Sequence, residues 1–372
     1  MRSTRSRRTA AAGAALGLVV GALALPAAAA DSPRRRGASL QSMQCSDKDD
    51  TALDLTIPVG GEPATGRYAL PHGAPKGLAV FAHGYGHTSA SWAEHMKNAA
   101  RRGLIAVGMD YRGIKILHQK EEHGLPKSRG WNVWKGAEDS IAAAKLFQAA
   151  CPSIKKTVIM GVSMGGNTSG LAVAMAAEEK SRKGGPLFDY WIDVEGAVNV
   201  IETYAGARLL EGSGNETAKN AKADIEAEMG GPIEQEPQAY VDHAVVSHIE
   251  DIKASGVKGV VVIHGLDDGL VPYNQGREMS SLLLAAGVPT DMFTVGRKSP
   301  ESERETTLTG YVAGAVDPDY RSPLAGHASE ASQTHIVMTT AFDRLWALFK
   351  GDTPGQYREF LVDGELGIYP KP

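Results

Sequence analysis

The 372-residue sequence predicts an α/β fold, a mostly parallel sheet with helices packed on both faces. Three observations carry this expectation. Six short apolar runs, at residues 78–82, 104–109, 158–162, 190–194, 260–264 and 292–295, are continuous rather than alternating, as strands covered on both faces are. Stretches with helical spacing lie between them, and strands alternating with helices imply a parallel sheet. The composition, 42% hydrophobic and 22% charged, is that of a globular chain and of neither a disordered nor a collagen-like one. At this length a single domain with insertions is expected.

Residues 1–30 carry Arg2, Arg5, Arg7 and Arg8, then an apolar run to Leu25, then Pro26 and four alanines. This is the pattern of a secretory signal cleaved near Asp31. The apolar run is shorter than the roughly 20 residues that a membrane span needs, so no stable membrane anchor is expected. Arg7-Arg8 leaves both the general and the twin-arginine export routes open. The formal charge is −4; the signal holds four arginines and no acid, so its removal leaves 35 basic against 43 acidic residues, a charge of −8. An acidic chain is a poor partner for nucleic acid. Cys45 and Cys151 are the only two cysteines, and in an exported chain two cysteines predict a disulfide.

A polar lead-in covers residues 31–50, and the main folded domain is assigned to 51–372. Within it, Trp134, Ala137, Ile141 and Ala144 recur at helical spacing, as do Met338, Phe342, Leu345, Trp346 and Phe349 near the C-terminus. Two stretches interrupt the alternation. Residues 198–255 hold acidic helical patterns, 221–229 and 238–253, and read as a lid-type insertion; the stretch between Val295 and the last helix is rich in Ser, Glu, Thr, Gly and Pro. Long connections inside a compact domain tend to be functional.

The segment that decides the chemistry is Gly161-Val162-Ser163-Met164-Gly165. A buried strand runs directly into it, and the Ala-rich stretch that follows, 170–178, is helical. Such a corner needs glycines because the backbone turns sharply and its neighbours come too close for a Cβ. It leaves a serine hydroxyl projecting beside the positive end of a helix.

Here the sequence resembles the α/β-hydrolase superfamily, from about Gly77 to Phe349 and in the expected order. His83-Gly84-Tyr85-Gly86-His87 looks like the superfamily's oxyanion loop, which implies Tyr85 N–H and Met164 N–H as the two oxyanion donors. Asp110-Tyr111-Arg112-Gly113 is similar to its Asp-x-Arg-Gly turn and reads as structural support. Gly265-Leu266-Asp267-Asp268-Gly269-Leu270-Val271-Pro272 resembles the segment that supplies the triad acid. Its register selects Asp268, with the neighbouring Asp267 and, after the fourth run, Asp193 and Glu195 as alternatives. The superfamily order Ser, Asp, His places the base late in the chain, at His327 in preference to His335.

The resemblance implies a secreted serine esterase or lipase-like hydrolase that works through an acyl-enzyme. It needs no metal or organic cofactor. Tyr85, Trp131, Trp134 and the 198–255 insertion are candidate walls for a small or polymeric ester. The Ser-Met-Gly-Gly run is shared with secreted lipases and cutinases, and His-Gly-x-Asp-Asp-x-x-Val-Pro with prolyl-oligopeptidase-type domains. A serine exopeptidase and an acyltransferase on the same fold therefore stand as alternatives, and a non-catalytic binding protein on the same scaffold as a third.

Overall fold

The computed structural model describes residues 43–49, 51–120, 125–181, 184–296, 326–363 and 367–370. These residues fall within one compact unit, Gly37–Pro372. The signal region and most of the stretch between Val295 and the last helix lie outside the described residues.

Each of the six apolar runs is a buried strand: β3 (Gly77–Ala82), β4 (Leu104–Met109), β7 (Thr157–Val162), β8 (Tyr190–Val194), β9 (Gly259–Gly265) and β10 (Thr290–Val295). Every residue of these strands is buried. Their side chains still separate by alternation. Leu78, Val80 and Ala82 join the core on one face of the sheet, and Ala79 and Phe81 the core on the other. A sheet with helices on both faces produces this double burial.

Before the first apolar run the chain forms a hairpin of β1 (Leu53–Val59) and β2 (Glu62–Ala69). This hairpin was not expected. Its strands alternate buried and exposed residues and carry Pro58 and Pro63, so they lack the continuous apolar signature. The turn is Gly60-Gly61, both at positive φ, as a tight hairpin demands. A second hairpin pairs β5 (Lys115–Lys120) with β6 (Pro126–Arg129). Past the expected end of the core near Phe349, β11 (Tyr357–Asp363) and β12 (Gly367–Pro370) extend the sheet. The strand order is β1-β2-β4-β3-β7-β8-β9-β10-β11-β12, parallel from β4 through β11.

Helices α1 (Ala93–Arg101) and α9 (Ile336–Lys350) cover one face; α2 (Val133–Ala150), α3 (Met164–Met175) and α8 (Tyr273–Ala286) cover the other. On α2 the buried stripe includes Ala137, Ala144 and Phe147, while Trp134 and Ile141 sit half-buried at its edge. Cys45 and Cys151 form a disulfide, joining the N-terminal lead-in to the residue that ends α2. The 198–255 stretch folds as α4 (Val200–Gly212), α5 (Glu216–Met229), α6 (Pro237–His243) and α7 (Ile249–Ala254). The side chains of Asn199 and Asn215 cap α4 and α5, and Gly230 in the left-handed region ends α5. The expected single helix over 238–253 is interrupted after His243, where Ala244 turns extended. Among the described residues, no helix is long and apolar enough to cross a membrane.

Candidate active site

Ser163 stands at the junction of β7 and α3 with φ 58° and ψ −124°. A non-glycine residue in this region costs about 1–3 kcal/mol and persists where the surroundings impose it. Here two glycines impose it. A Cβ on Gly161 would lie 1.9 Å from Gly165 O, and one on Gly165 2.1 Å from Ala82 O. The helix therefore begins at Met164 directly after the serine, earlier than the Ala-rich stretch suggested. Met164 N–H is thus among the first-turn donors that have no acceptor within their helix.

Asp268 and His327 come together. His327 Nδ1 lies 2.7 Å from Asp268 Oδ2, with both side chains buried. Asp268 Oδ1 accepts the N–H groups of Leu270 and Val271, each at 2.9 Å. These two bonds explain why the register selected Asp268: its side chain closes the turn onto Val271, whereas Asp267 is half-buried beside Gly326. His335 has a different place. It caps α9, with its Nδ1 accepting Val337 N–H at 3.2 Å.

A second carboxylate flanks the imidazole. Glu195 Oε2 is 3.6 Å from His327 Nδ1 and accepts Ala328 N–H at 2.6 Å, while its Oε1 accepts Gly265 N–H at 3.1 Å. Glu195 also belongs to the loop that carries the backbone partners of Ser163: Ser163 N–H donates to Val194 O and Ala197 N–H to Ser163 O, both at 3.0 Å. The Ser163 corner and the loop that carries His327 therefore meet across Glu195. His264, on β9, approaches Asp268 Oδ2 at 3.4 Å through Nε2, which also bonds to Val271 O at 2.8 Å. Asp193 is wholly buried beneath Gly166 and Gly196, with no hydrogen-bond partner for either carboxylate oxygen.

The electrostatics follow from this packing. Burial pushes the Asp268 carboxyl up, but the His327 and His264 imidazoles outweigh it and hold the group well below the usual carboxylate range. Burial pulls His327 down, yet the charge and hydrogen bond of Asp268, with Glu195 behind them, raise it above an ordinary histidine. His264 is raised to about 9 against the same burial by Asp268 and Glu195. Burial, helped by the Glu195 charge and opposed by His264, drives Asp193 up to about 7. Glu195, Asp268 and His327 are close enough to hold a metal ion, but every carboxylate oxygen of that trio already accepts a hydrogen bond.

In the 83–87 loop, the His83 ring stacks on Tyr111 with centroids 3.9 Å apart, and Tyr111 O–H donates to His83 O at 2.9 Å. The Asp-x-Arg-Gly turn thus braces the loop: Asp110 accepts from Ser89 and Thr65, and Arg112 pairs with Asp139. Tyr85 O–H donates to Asp224 Oδ2 of α5 at 2.6 Å. Asp224 also binds Arg129 Nε at 2.6 Å and Nη2 at 2.9 Å, and Gly130 N–H at 3.0 Å. Trp131 is buried with its ring 5.9 Å from Tyr85, and Trp134 is half-buried with its ring 5.2 Å from His243.

Residues 90–299, more than half of the chain, match the model of the prolyl oligopeptidase family. The chain belongs to that family. Its fold is the α/β-hydrolase fold. Among solved structures, the Pyrococcus horikoshii acylaminoacyl peptidase is 16% identical with a TM-score of 0.51, over 82% of this chain and 42% of that one. The puromycin-hydrolyzing peptidase of Mycobacterium tuberculosis is also 16% identical, with a TM-score of 0.50 over 82% of this chain and 40% of that one. The hyperthermophilic esterase of the archaeon Pyrobaculum calidifontis is 18% identical, with a TM-score of 0.50 over 80% and 84% of the two chains. At these identities the likeness is one of fold. This prolyl oligopeptidase family member spans about two fifths of the length of the two peptidases. A comparison with curated proteins gives no match.

Glu195, Glu330 and Asp224 were not legible as site residues in these roles. Glu195 appeared only as an alternative acid, and the other two gave no local signal. Glu330 binds Gly84 across 246 positions and Asp224 binds Tyr85 across 139.

Proposed function

We propose that the chain is a serine hydrolase that cleaves carboxylic esters, with Ser163 as nucleophile, His327 as general base and Asp268 as the acid that orients it. The observation that carries this reading is the buried 2.7 Å contact between His327 Nδ1 and Asp268 Oδ2, formed on the loop that meets the nucleophile corner through Glu195. His327 Nδ1–H donates to Asp268, which leaves Nε2 as the basic nitrogen. Nε2 takes the Ser163 proton as Oγ attacks the acyl carbonyl, and the N–H groups of Tyr85 and Met164 receive the oxyanion. The protonated imidazole then gives its proton to the leaving alcohol. Water, activated by the same nitrogen, cleaves the acyl-enzyme.

An ester is favoured by the charged pair at the insertion. Arg129 and Asp224 neutralise each other through two hydrogen bonds, so this pair offers no net charge to a peptide terminus. Family membership favours a second reading, cleavage of peptide or acylaminoacyl bonds by the same three residues. Turnover of short and long p-nitrophenyl esters beside a panel of aminoacyl p-nitroanilides separates the two. The expected result is ester turnover that Ser163→Ala abolishes. Anilide cleavage without ester turnover would establish the peptidase reading instead. Export to an oxidising compartment completes the proposal, supported by the arginine-led apolar N-terminus and the Cys45–Cys151 bond.

A further inference from the structure

Glu330 lies three residues after His327 and is 2% exposed, outside every motif considered so far. Its Oε1 accepts Gly84 N–H at 3.0 Å. A Cβ on Gly84 would come 3.3 Å from Glu330 Oε2 and 3.5 Å from Ser163 Cβ. The glycine backbone therefore lies between this carboxylate and Ser163, and a Cβ here would ask the carboxylate to give by a few tenths of an ångström.

The hydrogen bonds of the loop determine where its next amide points. Both ends of the 83–84 peptide unit are held: His83 O accepts Tyr111 O–H at 2.9 Å, and Gly84 N–H donates to Glu330. In the following unit, Gly84 O is bonded by His83 Nδ1 at 2.9 Å and by His87 N–H at 3.3 Å. A trans peptide is planar, with its N–H opposed to its C=O. Fixing Gly84 O therefore fixes the direction of Tyr85 N–H, and the preceding peptide unit, from which Gly84 O is set, is held by Tyr111 O–H at one end and by the Glu330 carboxylate at the other. Of these anchors, Glu330 is the one supplied by the segment that carries His327. The same short segment carries the base, and Ala328 N–H is tied to Glu195 at 2.6 Å. The Glu330–Gly84 bond thus joins the segment that carries His327 directly to the 83–87 loop.

We infer that Glu330 is a positioning residue that aims Tyr85 N–H at the oxyanion. The inference rests on the proposed roles of Ser163 and Tyr85. Glu330 does not touch the reacting atoms, so its removal acts on the transition state and leaves substrate binding in place.

The test compares Glu330→Gln, which keeps a carbonyl acceptor, with Glu330→Met, which keeps the length and loses it. The readouts are kcat and KM on whichever chromogenic substrate the wild type turns over, and Ki for phenylboronic acid, whose tetrahedral serine adduct places an oxygen in the oxyanion site. Removing an oxyanion donor outright costs about 100- to 1000-fold in kcat. Misaiming one is expected to cost about 10- to 100-fold, with KM within about twofold. Glu330→Met shows that fall with a parallel rise in the boronate Ki, and Glu330→Gln stays within about threefold of wild type. Wild-type kcat and boronate affinity in Glu330→Met would overturn the inference, as would Glu330→Gln falling as far as Glu330→Met. If circular dichroism shows that Glu330→Met does not fold, Glu330→Asp withdraws the acceptor by one methylene; a lowered kcat supports the inference and an unchanged one overturns it. A Ser163→Ala control distinguishes the levels. Activity surviving in Ser163→Ala sinks the site assignment, whereas a silent Ser163→Ala beside a fully active Glu330→Met sinks this inference alone.

Discussion

His327 lies between two carboxylates, and each has a different consequence. Asp268 sets the tautomer by accepting from Nδ1; Glu195, 3.6 Å away, adds negative charge and ties down the adjoining amide. The groups facing the imidazole are Asp268 from the loop after β9, Glu195 from the loop after β8 and His264 from β9. A base works in its neutral form, so a raised His327 moves the acid limb of kcat/KM above the ordinary histidine value of about 6.5. Glu195→Gln removes a negative charge that favours the imidazolium, so the limb shifts to lower pH while the alkaline side keeps its activity. A limb that stays in place in Glu195→Gln would show that Glu195 acts through the backbone alone. The two histidines separate in the same way. His327→Ala is expected to lower kcat by at least about 1000-fold, as loss of a triad base does. His335→Ala removes a helix cap and lowers stability by about 0.5–2 kcal/mol, with turnover retained; steady-state kinetics and thermal melts on the pair read both.

Helix α5 ties the insertion to Tyr85 and its neighbours. Ala218, Ala221, Ile225 and Met229 bury one stripe of α5, and Asp224, just before Ile225, reaches Tyr85, Arg129 and Gly130. Asp224 is held below the usual carboxylate range: burial raises it, but Arg129, the Tyr85 phenol and Gly130 N–H outweigh that. Asp224→Ala strips the acceptor from all three donors and is expected to destabilise the insertion by about 1–3 kcal/mol, toward the lower end because Arg129 is partly exposed. Hydrogen exchange should then accelerate across residues 216–229 with the sheet unchanged; unchanged protection of α5 would contradict a clamp at this point. Legibility at this scale followed burial. The central strands could be read because both faces are covered and the apolar run is unbroken. The β1–β2 hairpin and the penultimate strand β11, whose residues are mostly exposed or half-buried, offered no such run.

At the scale of the whole molecule, the two apolar faces of one sheet form separate cores, and the site sits where β7, β8 and β9 end. The Cys45–Cys151 bond closes a loop of about 100 residues, for which chain entropy gives about 4–5 kcal/mol. A Cys45→Ser/Cys151→Ser variant should therefore melt well below the wild type, and an unchanged melting temperature would show that the lead-in adds nothing to the fold. Ser163, Asp268 and His327 could be proposed from sequence because the corner, the Asp268 turn and the chain order each leave a local mark, and the structure pairs the last two. Glu330 and Asp224 were not, because their meaning lies in contacts that only the fold brings together. The central claim is that one serine attacks an acyl centre with help from one histidine. Labelling with a fluorophosphonate, read by intact mass and peptide mapping, tests it most directly. The account predicts a single adduct on Ser163, absent in Ser163→Ala and formed far more slowly in His327→Ala; an adduct on another residue, or one that persists in Ser163→Ala, would contradict it.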